Sequence, residues 1–484
     1  MIVLALEAST TSAKTMLFDT DTQQVAVTTR RFDGDGVVRD GDSVFTQLMA
    51  LGREAAAGVA VDAIALSSTW HGLTLRRPDL SAITPVYEWP YTGARELTAR
   101  YREDAAFTSW FYERTGCMVN AIFPAFKIAH LAETGVDIAG ALVLDQGSLT
   151  FARMTGEIWT SRTVASGTGL LATDGDDWDP QVRAALGIEG IVLPRLVSSD
   201  TSAPLVAEVA TLLGVRAGIP VMIPGPDGGL SQVGDRAYGV GDMTFSMGTS
   251  GALRYTTAHP AFSPTMGTWA YRSPFGWLSG AATSGCGNCV DWAKGLLFGT
   301  EMTFAEIEPM LDPERTALPV FLPFLFGERS PGWQDQRAGG FLEVRPEHTR
   351  ADLYQAVLQG IVFSLYHCYK ELAALNGPPR RVLISGGVLS SPFWAQLTAD
   401  VFQIEMQVSS QQHASVVGAT RLALRHLGLD DDQPGLRSEE PRMLVPDPAR
   451  AEGYRLEFER YLDAYARTSP GTEIGAAGSL ALLG

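Results

Sequence analysis

Cysteine is scarce in this chain, with four (Cys117, Cys286, Cys289, Cys368) in 484 residues, too few for a disulfide scaffold at this length. The cytoplasm fits that usage. Cys286 and Cys289 form a CxxC, yet no thioredoxin-like βαβ context and no second ligand pair accompany them. They read as small buried residues opening a helix that starts near Val290. Basic residues are outnumbered, 37 against 54 acidic, for a formal charge of −17. Such a surface repels nucleic acid and anionic membranes, so neither is expected as a partner. No apolar run reaches the roughly 18 residues of a transmembrane helix. The opening Met1-Ile-Val-Leu-Ala-Leu6 lacks a basic start and a cleavage site, and reads as a buried strand rather than a signal peptide.

Apolar residues are plentiful, at 45% against 19% charged, and the length exceeds one compact core. Two large domains are the simplest reading. Ile2 to Asp19 reads as a β-hairpin with a hydroxyl-rich turn at Ser9 to Ser12. Val61 to Ser67 reads as a strand entering the polar loop Ser68 to Gly72, and Gly218 to Ile223 as another ending in Pro224-Gly-Pro-Asp227-Gly-Gly229. Strands that end in such loops commonly carry α/β active sites. The second half repeats the grammar: a strand Met243 to Met247, the turn Gly248-Thr-Ser-Gly251, and a return over Leu253 to Tyr255. Two such hairpins suggest a duplicated fold whose halves face one another across a cleft. Helical periodicity covers Asp352 to Leu375, a strand spans Arg381 to Ile384 before Ser385-Gly-Gly387, and Pro392 to Ile404 is helical again. The last residues, Gly471 to Gly484, are mostly small and apolar, as poorly ordered tails are.

Phosphoryl transfer needs donors around the phosphates, an acid-bound metal and a base for the acceptor's proton. The turns Ser9-Thr10-Thr11-Ser12 and Gly248-Thr249-Ser250-Gly251 offer backbone N–H groups and hydroxyls that hold anions without net positive charge. The resemblance to a known family then becomes specific. Ala5-Leu-Glu-Ala-Ser-Thr-Thr-Ser-Ala-Lys14 with Phe18-Asp19 resembles the first phosphate motif of the FGGY carbohydrate kinases, and Phe245-Ser-Met-Gly-Thr-Ser-Gly251 the second. Ile384-Ser-Gly-Gly-Val-Leu-Ser-Ser-Pro-Phe-Trp394 with Ala399-Asp400 is similar to the adenosine motif, and Phe321-Leu-Pro-Phe-Leu-Phe-Gly-Glu-Arg-Ser-Pro331 to a second signature. Smaller echoes at Pro124 with Lys127, Met154-Thr-Gly-Glu157, and Thr168 with Trp178-Asp179 fall in family order, so coverage is roughly residues 1 to 460.

The resemblance implies an α/β protein of two actin-like (ribonuclease H-like) domains facing a central cleft, residues 1–236 carrying sugar and base and 237–484 carrying ATP. It implies ATP and Mg²⁺ as cofactors, a small-molecule sugar as the other partner, and a homodimer as a compatible assembly. Asp227, in a Gly-x-Asp-Gly-like loop, aligns with the catalytic base, and a carboxylate suits acceptance of a hydroxyl proton. Its bland reading is a turn residue. Trp70, His71 and Gly228 fall in the substrate loops, where His71 would hydrogen-bond sugar hydroxyls and Trp70 offer an apolar face. Without that context, His71 reads as a packed core histidine. Ser9, Thr10, Thr11, Ser12, Lys14, Gly248, Thr249 and Ser250 fall in the phosphate turns, Gly386, Gly387 and Ser390 in the adenosine loop, and Glu7 at the metal position.

The departures are as informative. Glu7 replaces an Asp and Ser9 a Gly, so the first turn is expected to differ locally or to be strained. Trp89-Pro-Tyr-Thr-Gly-Ala-Arg95 lacks an expected Asp, and Glu343 stands where a Gly is usual. The run Asp227-Gly-Gly-Leu-Ser-Gln with Gly248-Thr-Ser-Gly-Ala-Leu-Arg254 resembles the gluconate kinase branch, whereas Trp70-His71-Gly72 leans toward xylulokinases. The sequence reads as a kinase of a small open-chain sugar or sugar acid, gluconate-like or xylulose-like. The competing readings are a catalytically impaired sugar-binding sensor and, less well supported, an actin-like filament protein.

Overall fold

Ile2–Ala8 (β1), Ser12–Asp19 (β2) and Val25–Arg31 (β3) form an antiparallel meander in this computed structural model, which describes every residue except 35, 175, 438–441 and 469–484. The C-terminal tail singled out above therefore lies outside the described residues. β1 is apolar without alternation because both of its faces are covered. Leu4 and Leu6 meet Val44, Phe45 and Leu48 of the helix Gly41–Ala55. Val3 and Ala5 meet Val416, Val417 and Ala419 of the helix Ala414–His426. Ala63–Ser68 (β4), Ser202–Pro204 (β5), Pro220–Met222 (β6) and Gly225–Pro226 (β7) complete a seven-stranded sheet ordered β5-β6-β4-β1-β2-β3, with β7 also on β4.

Asp242–Met247 (β8), Gly251–Thr257 (β9), Trp269–Ser273 (β10), Gly276–Thr283 (β11), Arg381–Gly386 (β12), Met406–Val408 (β13) and Met443–Leu444 (β14) build the second seven-stranded sheet, ordered β10-β11-β9-β8-β12-β13-β14. Its logic repeats the first. The opening hairpin β8–β9 matches β1–β2, and the parallel neighbour β12 stands to β8 as β4 does to β1. The long helix Arg350–Asn376 fills the core beside this sheet. Its start is set by a capping box, Thr349 with Asp352, which satisfies the first free N–H groups.

Two of the contacts between the halves lie near the site. The helix Ala414–His426, late in the chain, lies against Asp227–Gly234 so closely that a β-carbon on Gly418 would stand 1.9 Å from the Leu230 carbonyl oxygen, and one on Gly234 2.0 Å from that of Ala414. Only glycine permits that approach. The second contact is an aromatic core in which Trp269, Tyr271 and Trp333 join Trp70, Phe111 and Phe123. At its edge Asn120 donates to Asp335 at 2.8 Å and Arg102 pairs with the same carboxylate at 3.6 Å.

Cys286 and Cys289 are buried and unbridged, beside the start of the helix Gly287–Phe298. Glu343 adopts φ +60, the backbone conformation a glycine would take without strain, and its carboxylate is held by Arg460 at 2.7 Å and Arg467 at 3.4 Å.

Candidate active site

Strand register gathers the site. In the row β1–β4–β7, Glu7 lies beside Ser67 and Ser67 beside Gly225, and the next row places Ala8, Ser68 and Pro226 side by side. Asp227 follows directly, at the start of its helix. The residues after β4 are Thr69, Trp70 and His71, so base candidate, metal candidate and sugar loop emerge together at the carboxyl ends of parallel strands.

Asp227 is half-buried and accepts from the Gly228 N–H at 2.7 Å. Burial and the neighbouring Glu7 carboxylate push its carboxyl up to about 6, against the Gly228 hydrogen bond and the Arg254 charge. Trp70 and Arg254 frame the following turn, since a β-carbon on Gly228 would lie 2.8 Å from Arg254 Nη2 and 3.0 Å from the Trp70 ring. The indole is fixed by its Nε1–H, which donates to the Thr163 carbonyl at 3.0 Å, and by Tyr271, whose ring centroid is 5.3 Å away.

His71 has φ +66, a costly conformation for a non-glycine residue that its surroundings must impose. Lys127 Nζ supplies part of that constraint, donating to the His71 and Glu88 carbonyls at 2.8 Å each. Burial holds the Lys127 ammonium down to about 7, with Glu88 opposing. Burial, and then the Arg329 charge, hold the His71 imidazole down to about 3. His71 is thus neutral, and because Nδ1 lies 2.7 Å from the Gly167 carbonyl, Nδ1 carries the proton. Nε2 is left as an acceptor, the polarity that receives a hydroxyl hydrogen.

The first turn is closed by its own hydroxyls. Ser9 Oγ donates to the Ser12 carbonyl at 2.9 Å and accepts the Ser12 N–H at 3.1 Å. Ser9 is not among the described residues with positive φ, so the strain expected from losing glycine is absent. The serine hydroxyl ties the turn in its place. Thr10 Oγ1 accepts from Trp89 Nε1 at 2.9 Å, the Thr11 carbonyl accepts the Phe32 N–H at 2.9 Å, and Arg39 holds the Ser9 carbonyl at 2.7 Å. Arg39 is in turn fixed by the buried Glu88. Glu7, at 2% exposure, is occupied on both oxygens: Lys14 Nζ donates to Oε1 at 2.6 Å and Ser67 Oγ to Oε2 at 2.9 Å. Among the described residues no group of three or more His, Cys, Asp or Glu side chains is placed to hold a metal.

In the second sheet Met247 lies beside Gly386, which brings the second turn and the adenosine-type loop into contact. Gly386 has φ +102, and a β-carbon there would stand 2.4 Å from the Met247 carbonyl oxygen. Gly387 and Ser390 are open to solvent, as is Thr249. The Gly248 and Thr249 carbonyls accept from the N–H groups of Gly287 and Asn288, which ties the turn to the start of the helix Gly287–Phe298. Two residue groups therefore form: Glu7 to Lys14 with Trp70, His71, Asp227 and Gly228 around the first sheet, and Gly248 to Ser250 with Gly386, Gly387 and Ser390 on the second.

Four residues carry site geometry that motif reading left unassigned: Arg254, Arg329, Lys127 and Tyr271. The first three stand inside quoted motifs but were given no role. Tyr271 lies in a strand with no motif, and only packing against Trp70 reveals it.

The chain matches two family models, the N-terminal domain of the FGGY family of carbohydrate kinases over residues 2–234 and its C-terminal domain over residues 243–427. It is 26% identical to the gluconokinase of Bacillus subtilis (strain 168) over 385 residues, covering 76% of this chain and 75% of that one. It is 27% identical to a xylulose kinase of Klebsiella pneumoniae over 429 residues, covering 85% and 86%. Among solved structures, the gluconate kinase from Lactobacillus acidophilus superposes with a TM-score of 0.88 at 24% identity, over 96% of this chain and 98% of that one.

Proposed function

Because the chain belongs to the FGGY family of carbohydrate kinases and is a phosphotransferase acting on an alcohol group, we propose that it transfers the γ-phosphate of MgATP to a hydroxyl of a small open-chain sugar or sugar acid, with Asp227 as general base. One arrangement carries this reading: the register Ala8–Ser68–Pro226 sets Asp227 at the strand ends from which the first hydroxyl turn and the Trp70–His71 loop emerge, where burial and Glu7 raise its carboxyl to about 6. A carboxylate tuned that high accepts a proton more readily than an ordinary one, while remaining ionised at neutral pH.

The roles follow from the groups present. Trp70 supports the carbon chain, His71 Nε2 accepts from a sugar hydroxyl, and the Gly228 backbone permits close approach. Ser9, Thr10, Thr11, Ser12 and Lys14 on one side, with Gly248, Thr249 and Ser250 on the other, address the phosphates. Gly386, Gly387 and Ser390 address the adenosine. The magnesium of MgATP supplies charge neutralisation on the transferring group. Glu7 would approach that cation through a water or through a lone pair left free by Lys14 and Ser67, which take one position on each of its oxygens. Residues 1–236 and 237–484 form the two domains in this reading, with phosphoryl transfer between them. The Glu7–Lys14 pair is also what the sensor reading would cite, as a metal position filled by an ammonium.

A coupled ADP-release assay over ketopentoses, polyols and aldonic acids tests the proposal. Acceptor-dependent ADP formation supports it, and sugar binding without ADP release from any acceptor establishes the sensor.

A further inference from the structure

Arg254 and Arg329 are half-buried cations beside the candidate site. The described residues hold 27 ion pairs within 4.0 Å, and neither arginine belongs to one. Both Nε atoms are buried without a hydrogen-bond partner. Arg254 donates only to Ser246 Oγ at 3.2 Å, and the Arg329 side chain donates to nothing among the described residues. It leans instead on the face of Trp89, 5.9 Å from the ring centroid. An unpartnered Nε also occurs at Arg183, Arg337 and Arg421, but the guanidinium ends of the last two are held, Arg337 by Glu328 and Arg421 by the carbonyls of Asp431 and Leu436. Guanidinium nitrogens buried without a partner are costly, and in a chain of net charge −17 carboxylate partners are not scarce.

The two cations also share a location. Arg254 projects from β9 toward Gly228 and Asp227, while the Arg329 charge acts on both His71 and Tyr271 and is itself opposed by that of Arg254. They face the sugar loop, with the Trp70, His71 and Tyr271 rings packed at 5.3 to 6.3 Å from one another.

We propose that Arg254 and Arg329 form a seat for a carboxylate of the acceptor, so that the acceptor is an open-chain sugar acid rather than a neutral ketose or polyol. This rests on the kinase reading above and narrows it. Each guanidinium offers unused donors to a planar anion, and the acceptor's charge replaces the missing partner. The chain then lies over Trp70 with a distal hydroxyl directed at Asp227. The rival source of negative charge is the transferring phosphoryl group, and the experiment separates the two.

Steady-state kinetics with MgATP should be run on a five- or six-carbon aldonate, the polyol of the same configuration and the corresponding ketose. Wild type is expected to prefer the aldonate by at least roughly 100-fold in kcat/KM, and Arg254→Gln or Arg329→Gln to erase roughly 10–100-fold of that preference, chiefly through the aldonate KM. Arg329→Lys should restore part of it. Equal losses on aldonate and polyol, or a wild-type preference for a neutral acceptor, overturn the seat while leaving the kinase reading intact. ADP release with none of the three fails the kinase reading itself. Should a glutamine variant not fold, protection of the wild type against thermal unfolding by the aldonate alone, set against the polyol alone, decides the question: equal protection counts against the seat.

Discussion

Glu7 and Lys14 face one another across the first hairpin, with Lys14 Nζ 2.6 Å from Glu7 Oε1, so the carboxylate proposed to serve the metal is already held by an ammonium from the neighbouring strand. Metal and lysine compete for that oxygen. Glu7→Gln should raise the Mg²⁺ concentration needed for half-maximal rate, and Lys14→Met should lower it while raising the KM for ATP, since occupancy follows mass action. Titration of initial rate against free Mg²⁺ checks both, and unchanged midpoints would remove Glu7 from metal support.

Asp227→Asn keeps shape and removes the proton acceptor, so kcat should fall by roughly 10²–10⁴-fold with little change in acceptor binding. Near-normal turnover on the true acceptor would refute the base.

The acid limb of the rate profile should lie near pH 6, because Asp227 must be ionised to act and burial with Glu7 raises its pKa to about 6. Rate falls as pH drops through that value. Arg254→Gln removes a charge that favours the carboxylate, so its limb should move upward. A limb near pH 4 in wild type would contradict the environment described here.

The same shift has a stability consequence. With a folded pKa above the unfolded value of 3.8, the folded state binds more protons between pH 4 and 6, and stability declines as pH rises across that window. Asp227→Asn escapes this cost, so it should be more stable than wild type by about 1–3 kcal/mol above pH 6 and gain nothing below pH 4. Thermal unfolding at the two ends of the range measures it.

Gly387 and Gly386 should respond differently to added side chains. A β-carbon on Gly387 meets only the Met247 carbonyl oxygen, at 3.8 Å, whereas one on Gly386 is placed at 2.4 Å from the same atom. Gly387→Val should therefore fold normally and raise the KM for ATP. Gly386→Ala should lower Tm as well. A Gly387→Val enzyme that lost acceptor affinity and kept its ATP affinity would misplace the adenosine loop.

Much of this was legible in the residues alone. The hairpins, and the elements read over Asp352 to Leu375, Arg381 to Ile384 and Pro392 to Ile404, came from periodicity and glycine punctuation, which are local signals, and they stand as the helix Arg350–Asn376, the strand Arg381–Gly386 and the helix Pro392–Phe402. The duplication was readable as two hydroxyl turns, and the order of the strands in both sheets repeats it. At Ser9, in a glycine position, a local difference or strain was expected; its φ is not positive, and its hydroxyl closes the turn. His71, by contrast, does carry φ +66, which no local pattern announces, since the Lys127 ammonium that helps to hold it lies 56 residues away.

The amino-acid sequence by itself determined which groups are available for the proposed chemistry: the turns rich in N–H and hydroxyl donors, the aspartate after a strand, the glycines proposed to face the nucleotide. Those are properties of residue type and of neighbours in the chain. Tertiary structure alone decided which charges are spent and which are free. Lys14 is spent on Glu7, Arg39 on Glu88 and Lys127 on backbone carbonyls, while Arg254 and Arg329 have no carboxylate partner among the described residues. Charge compensation depends on distance in space and on exclusion of water, and neither is written along the chain.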